Sequence, residues 1–259
     1  MPGNMTLVVV GDFDIDKMRL AILSSFGTLP AELLPERLFR VPPPPSVFNE
    51  VQSTLEPILG SDAEVGMVFR TVGMTSADYY TFYVLQSYLD TRLYESLRIE
   101  EGLAYSPESE IGALRDYGVL VVHADVELKA QDRVLGLMQK EIERLQMPLD
   151  ADTVEQVKRK LLLQMVQGYE SNSELADYYA ASVFEYETSG ELIDQEARIE
   201  QVSVDDLHRV AMQYLSMDRA VVFREVPTLT YARFYAGLAL LVFISVVGIG
   251  YALYRRYGR

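Results

Sequence analysis

The sequence predicts an α+β fold, an antiparallel sheet with helices packed on one face, followed by a C-terminal transmembrane helix. Three observations carry this. Alternating apolar runs dominate the first half of the chain and helical periodicities the second, which suits a sheet covered by a helical layer. A helix end, a glycine and a strand start fall together in Leu97-Arg98-Ile99-Glu100-Glu101-Gly102-Leu103-Ala104-Tyr105. Finally, Phe234 to Tyr254 is a run of 21 residues without a charge, about 31 Å long as a helix, which matches a bilayer core.

The elements follow in order. Thr6-Leu7-Val8-Val9-Val10-Gly11-Asp12 reads as a short strand, and Asp14 caps a helix whose apolar positions are Met18, Ile22 and Phe26. From Leu29 to Pro45 the chain carries six prolines, and residues 37–54 read as an extended linker. One strand and one helix cannot bury each other's apolar faces, so residues 1–36 read as the closing unit of a preceding domain. The domain proper is expected over residues 55–226. Val65 to Phe69 is a strand, and a helix carries Tyr79, Phe82, Tyr83, Leu85 and Leu89 up to Arg98. Gly102 supplies the positive φ that ends this helix. Ala104–Ala113 and Tyr117–Val126, parted by Arg115-Asp116, form a hairpin.

Gln131 to Leu145 shows a stripe of Val134, Met138, Ile142 and Leu145 that ends before Pro148. Asp152-Thr153-Val154-Glu155 opens a helix to Tyr169 as a capping box, and Ser203-Val204-Asp205-Asp206 opens another. Ala220 to Phe223 is a last strand. The apolar segment 234–254 is flanked by Tyr231, Tyr235, Tyr251, Tyr254 and Tyr257, the aromatic belt of a membrane span, and by a basic tail at 255–259. Arg255, Arg256 and Arg259 outweigh Arg233, so the tail is expected in the cytoplasm and the globular part outside it, periplasmic or extracellular. Met1-Pro2-Gly3-Asn4 leads straight into a strand pattern rather than an export signal. That too is expected of a chain whose first domain lies upstream.

Composition excludes several classes of chemistry. There is no cysteine, so thiolate metal sites, disulfides and thiol nucleophiles are absent. The four arginines from Arg233 onward are the only charges there, which leaves 19 basic and 38 acidic side chains in residues 1–232 and disfavours nucleic acid. No Gly-x-Ser-x-Gly elbow or phosphate loop occurs. His123 and His208 each lack a second histidine within a helical turn, so no zinc-ligand pair forms, and both read as structural or surface residues. Glu100, Glu101, Glu108 and Glu110 read as a solvated acidic surface. Tyr178-Tyr179 with Phe184 and Tyr186 reads as core and surface aromatics rather than a ligand cage.

The run Arg92-Leu93-Tyr94-Glu95-Ser96-Leu97-Arg98, continued by Glu101-Gly102-Leu103-Ala104-Tyr105-Ser106, resembles the second-domain signature of the pitrilysin/insulinase family of inverzincin zinc peptidases, R-L-x-x-x-L-R-x-x-x-G-L-A-Y-S. Here Glu100 and Glu101 stand where family members often carry a basic residue, and Pro107 follows the motif. In that family two α+β domains close like a clamshell, the first bringing zinc on a His-x-x-Glu-His helix. The resemblance implies that this chain is the C-terminal, non-zinc half. It implies that Arg98 and Tyr105 hydrogen-bond the substrate carbonyl, that zinc belongs to a partner domain in cis or in trans, and that peptides are the substrates. It also leaves open a second role, since relatives without a metal site serve as inert scaffold subunits in respiratory complexes. The chain by itself, lacking the zinc site, is expected to be inactive.

Overall fold

Strand β3 (Asp62–Val72) and strand β5 (Tyr117–Glu127) alternate between buried and half-exposed positions along their length, the period-2 pattern of a sheet covered on one face. They pair antiparallel in register from Asp62 opposite Glu127 to Val72 opposite Tyr117. A computed structural model describes residues 5–29, 51–54, 59–168, 170–183, 186, 190, 192 and 194–258. β4 (Glu108–Ala113) completes the hairpin with β5, while β6 (Val221–Glu225) pairs antiparallel on the other side of β3. β1 (Val51–Thr54) adds parallel to β6, so the sheet order is β1-β6-β3-β5-β4 and its β1 edge departs from the antiparallel expectation. The sheet therefore starts four residues before the boundary expected at 55, in what reads by sequence as linker.

Helices lie over one face. α2 (Tyr79–Leu93), α3 (Gln131–Leu145) and α7 (Val204–Tyr214) lie against the sheet, α4 (Ala151–Gln167) and α6 (Gln195–Glu200) pack on α2, and α5 (Asn172–Ala181) follows α4. Val65, Met67 and Phe69 of β3 and Leu120, Val122 and Ala124 of β5 are buried against Phe82, Leu85 and Leu89 of α2, Met138 and Ile142 of α3, and Leu207 and Val210 of α7 in one cluster. Burying each such side chain is worth about 1.5–3 kcal/mol. α4 is capped by Asp150, whose carboxylate accepts the Thr153 N–H at 2.9 Å, and not by Asp152 as the sequence suggests. The Ser203/Asp206 capping box on α7 forms as expected. His208 Nε2 lies 2.9 Å from the Gln146 carbonyl, a structural contact joining α7 to the end of α3.

Two segments stand apart from this core. α1 (Ile15–Phe26) is capped by Asp14 as expected, but none of its residues is buried, and the preceding residues 6–10 make no strand pairing among the described residues. The expected strand there is thus absent, since no neighbour offers it a ladder. α8 (Tyr231–Tyr257) is a continuous helix of 27 residues, long and apolar enough to cross a membrane, with none of its apolar window buried. It leaves the domain from β7 (Leu229–Thr230), which pairs parallel with β2 (Leu59–Gly60). The six-proline segment falls outside the described residues except for its first residue, Leu29.

Candidate functional site

The last turns of the α2 rod do not stay α-helical. Tyr94–Glu100 is a π-helix, and Gly102 takes φ +61° to stop it. Leu97 closes the end, its carbonyl accepting from the Leu103 N–H at 2.9 Å and the Ala104 N–H at 3.3 Å while its side chain is fully buried. A bridge from Ala104 to Val126 then ties the chain to β5. One wide turn followed by a left-handed glycine brings the chain back on itself within seven residues, which is how Arg98 and Tyr105 meet.

They meet directly. Arg98 Nη1 donates to the Tyr105 carbonyl at 2.9 Å, and the guanidinium carbon lies 4.4 Å from the centre of the Tyr105 ring. It also lies 5.1 Å from the centre of the Tyr94 ring. The cation is therefore within cation–π reach of two rings, and among the described residues it has no carboxylate partner. Tyr105 itself is 78% exposed. Tyr94 was not singled out by sequence reasoning, although its position four residues before Arg98 on a helix was a readable signal.

Arg92, the first arginine of the same motif, does something different. It pairs with Glu95 at 2.6 Å, and its Nε lies 3.4 Å from Oε2 of Glu141, a carboxylate 2% exposed. That oxygen has no hydrogen-bond partner, so the contact is an ion pair without hydrogen-bond geometry, and Arg144 holds the other oxygen at 2.6 Å. Arg92 thus locks α2 to α3 beneath the site, since an unpaired buried carboxylate is costly.

Beside Tyr105 opens a cavity of about 830 Å³. Besides Tyr105, Leu103 and Tyr231 at the start of α8, it is lined by five carboxylates: Asp62, Glu64, Asp125, Glu127 and Glu225. Their strand register explains the concentration. Asp62 faces Glu127, and Glu64 faces both Asp125 and Glu225 across neighbouring strands. Like charges set opposite one another destabilise a sheet, so the patch carries a cost. Lys129 pairs with Glu127 at 2.7 Å and His123 Nδ1 lies 3.0 Å from Glu64. The acids expected around the motif are arranged otherwise. Glu101 is ion-paired with Arg133, and Glu108 and Glu110 lie on β4 near His123. The lining acids were missed, yet Asp62-Ala63-Glu64 and Asp125-Val126-Glu127 have the period-2 spacing that puts both members on one face.

The two histidines sit on different elements, His123 on β5 and His208 on α7, so the two-histidine helix of the inverzincin zinc site does not fit this chain. Among the described residues Glu108, Glu110 and His123 bring donor atoms within 4.8 Å of one another, two exposed carboxylates beside one imidazole.

Solved M16 peptidase domains share this fold. A protease from Helicobacter pylori superposes with a TM-score of 0.69 at 19% identity, over 84% of this chain and 54% of that one. The peptidase M16 inactive domain from Pseudomonas fluorescens gives 0.61 at 18%, over 70% and 44%. A chain of Complex III2 from Candida albicans gives 0.67 at 17%, over 83% and 53%. This chain spans about half the length of these solved structures. No curated protein matches it by sequence. The chain belongs to the peptidase M16 inactive domain family, which matches residues 1–161. That bears out the resemblance of the Arg92–Ser106 signature to the pitrilysin/insulinase peptidases, and as the inactive domain this chain is the half without the zinc.

Proposed function

We propose that this chain is the C-terminal, substrate-binding and active-site-completing half of a membrane-anchored zinc metalloendopeptidase acting on peptides or small proteins. The observation that carries this reading is the direct contact of Arg98 and Tyr105 at a π-helix end, with Tyr105 lining the 830 Å³ cavity. In this reading a His-x-x-Glu-His domain, joined in cis or in trans, supplies the zinc and closes over that cavity. Arg98 and Tyr105 then donate hydrogen bonds to the substrate carbonyl oxygen as it gains negative charge. Residues 1–36 act as the closing unit of the domain before it, which suits an α1 with no buried residue and with Leu20, Leu23 and Phe26 exposed. α8 anchors the assembly, with the arginine tail in the cytoplasm and the globular part outside it.

Removing one such donor costs about 2.7–4 kcal/mol of transition-state stabilisation. Arg98→Ala or Tyr105→Phe in the complete two-domain enzyme is therefore expected to lower kcat about a hundredfold or more, with zinc content unchanged. Turnover equal to the wild type would sink the assignment.

A second reading is an inert membrane-anchored scaffold or assembly subunit of the same fold. It is favoured by the engagement of Arg98, whose guanidinium already bonds the Tyr105 carbonyl and lies within 4.4 and 5.1 Å of two ring centres. The likeness to the Complex III2 chain is in line with it. Mixing the soluble part with a zinc-bearing partner separates the two. Hydrolysis that needs both and is lost with Tyr105→Phe favours the enzyme, and a stable complex without hydrolysis favours the scaffold.

A further inference from the structure

A second cavity, of about 300 Å³, shares no lining residue with the one beside Tyr105 and lies among the helices. That is the lower end of the range of ligand cavities, roughly 300–1,000 Å³. Tyr79, Tyr80 and Tyr83 at the start of α2 form one side, and Tyr178 and Glu174 of α5 contribute another. Met74 and Met165 add two thioethers. Tyr79 meets Tyr80 at 73° and Tyr83 at 72°, with ring centres 5.2 and 5.3 Å apart, so the rings stand as steep walls rather than a stack. Among the described lining residues the charged one is Glu174, and none is a cation. Ser171 N–H donates to Glu174 Oε2 at 2.9 Å, which orients the carboxylate. Burial, against a backbone hydrogen bond at Gln195, pushes the Tyr178 hydroxyl above its ordinary range, and the nearby Asp194 and Glu196 charges add to it.

We propose that this cavity binds a small quaternary ammonium cation of the trimethylammonium type, the chemistry shared by free choline-like solutes and by a lipid headgroup. Ring faces and thioethers attract a diffuse cation that has no N–H groups to satisfy, and Glu174 supplies the opposite charge. A primary ammonium would give up water partners that rings cannot replace. This inference is independent of the peptidase role, because no residue of the Arg98/Tyr105 site takes part.

The test is a titration of the full chain, held in a maltoside micelle and labelled at its methionine methyls, with tetramethylammonium chloride. The Met74 and Met165 signals are expected to shift saturably, and sodium chloride at equal ionic strength to leave them in place. Choline is expected to bind more tightly than its neutral carbon isostere 3,3-dimethylbutanol. Tyr83→Ala should weaken binding about tenfold. Glu174→Gln, which keeps the capping box because glutamine serves at that position, should weaken it about fivefold. In nanodiscs the same shifts without added cation in phosphatidylcholine, but not in phosphatidylglycerol, assign the site to a lipid headgroup, and shifts only on adding choline assign it to a solute. A response equal to that with sodium, an isostere bound as tightly as choline, or affinity unmoved by both substitutions would overturn the proposal.

Discussion

Gly102 is the residue on which the Arg98/Tyr105 geometry turns. Its φ of +61° is left-handed, and a Cβ built there meets nothing within 4 Å, so the position demands glycine for its backbone and not for space. Gly102→Ala is therefore expected to cost about 1–2 kcal/mol, seen as a lower denaturant midpoint at unchanged slope, with Gly102→Asn costing less. An alanine variant as stable as the wild type would show that the junction relaxes to another conformation. Leu97 works beside it. Its buried side chain anchors the turn while its carbonyl receives both returning N–H groups. The helix end and its glycine were legible in the sequence, and the spacing of Tyr94 to Arg98 was readable there too, whereas the π-helical register in which that ring meets the guanidinium needed coordinates.

At the scale of elements, α7 shows how electrostatics hold a helix to the layer. Ser203 Oγ accepts the Asp206 N–H at 3.1 Å, and the Asp206 carboxylate accepts from Ser203 and from Arg209. Arg209 continues to Asp78 at the start of α2 at 2.7 Å, tying the middle of α7 to the start of α2. The Ser203 hydroxyl, chiefly, and the Arg209 charge hold the Asp206 carboxyl below its usual range. A lowered folded-state value means that this stabilisation is present above the unfolded value of about 3.9 and is lost as pH falls through the lower, folded one. Ser203→Ala should cost about 1 kcal/mol at neutral pH, and the deficit should shrink below about pH 4, read by thermal melts across pH. A deficit independent of pH would mean that Asp206 does not act through its charge. Asp90 of α2 runs the other way: burial raises its carboxyl although Ser109 N–H and Oγ donate to it at 2.7 and 2.6 Å. Its ionised form is the costly one, so its contribution to stability is greatest at low pH and falls as pH rises through its raised value.

At the scale of the molecule, α8 is long and apolar enough to cross a membrane. At 1.5 Å per residue its 27 residues span about 40 Å, more than a bilayer core, with arginines at its end. The full chain is expected to stay with membranes through alkaline carbonate washing, and a version ending at Thr230 to be released. Release of the full chain would mean that α8 is covered by protein instead. By itself the sequence determined the mixed helix-and-sheet class, the order of most core elements, the Gly102 break and the apolar helix, because each rests on local periodicity or spacing. Tertiary structure decided the rest. The parallel β1 edge, the unpaired stretch before α1, the acid-lined cavity and the tyrosine-walled pocket all depend on which segments, far apart in the chain, come to lie side by side, and no local pattern encodes such neighbours.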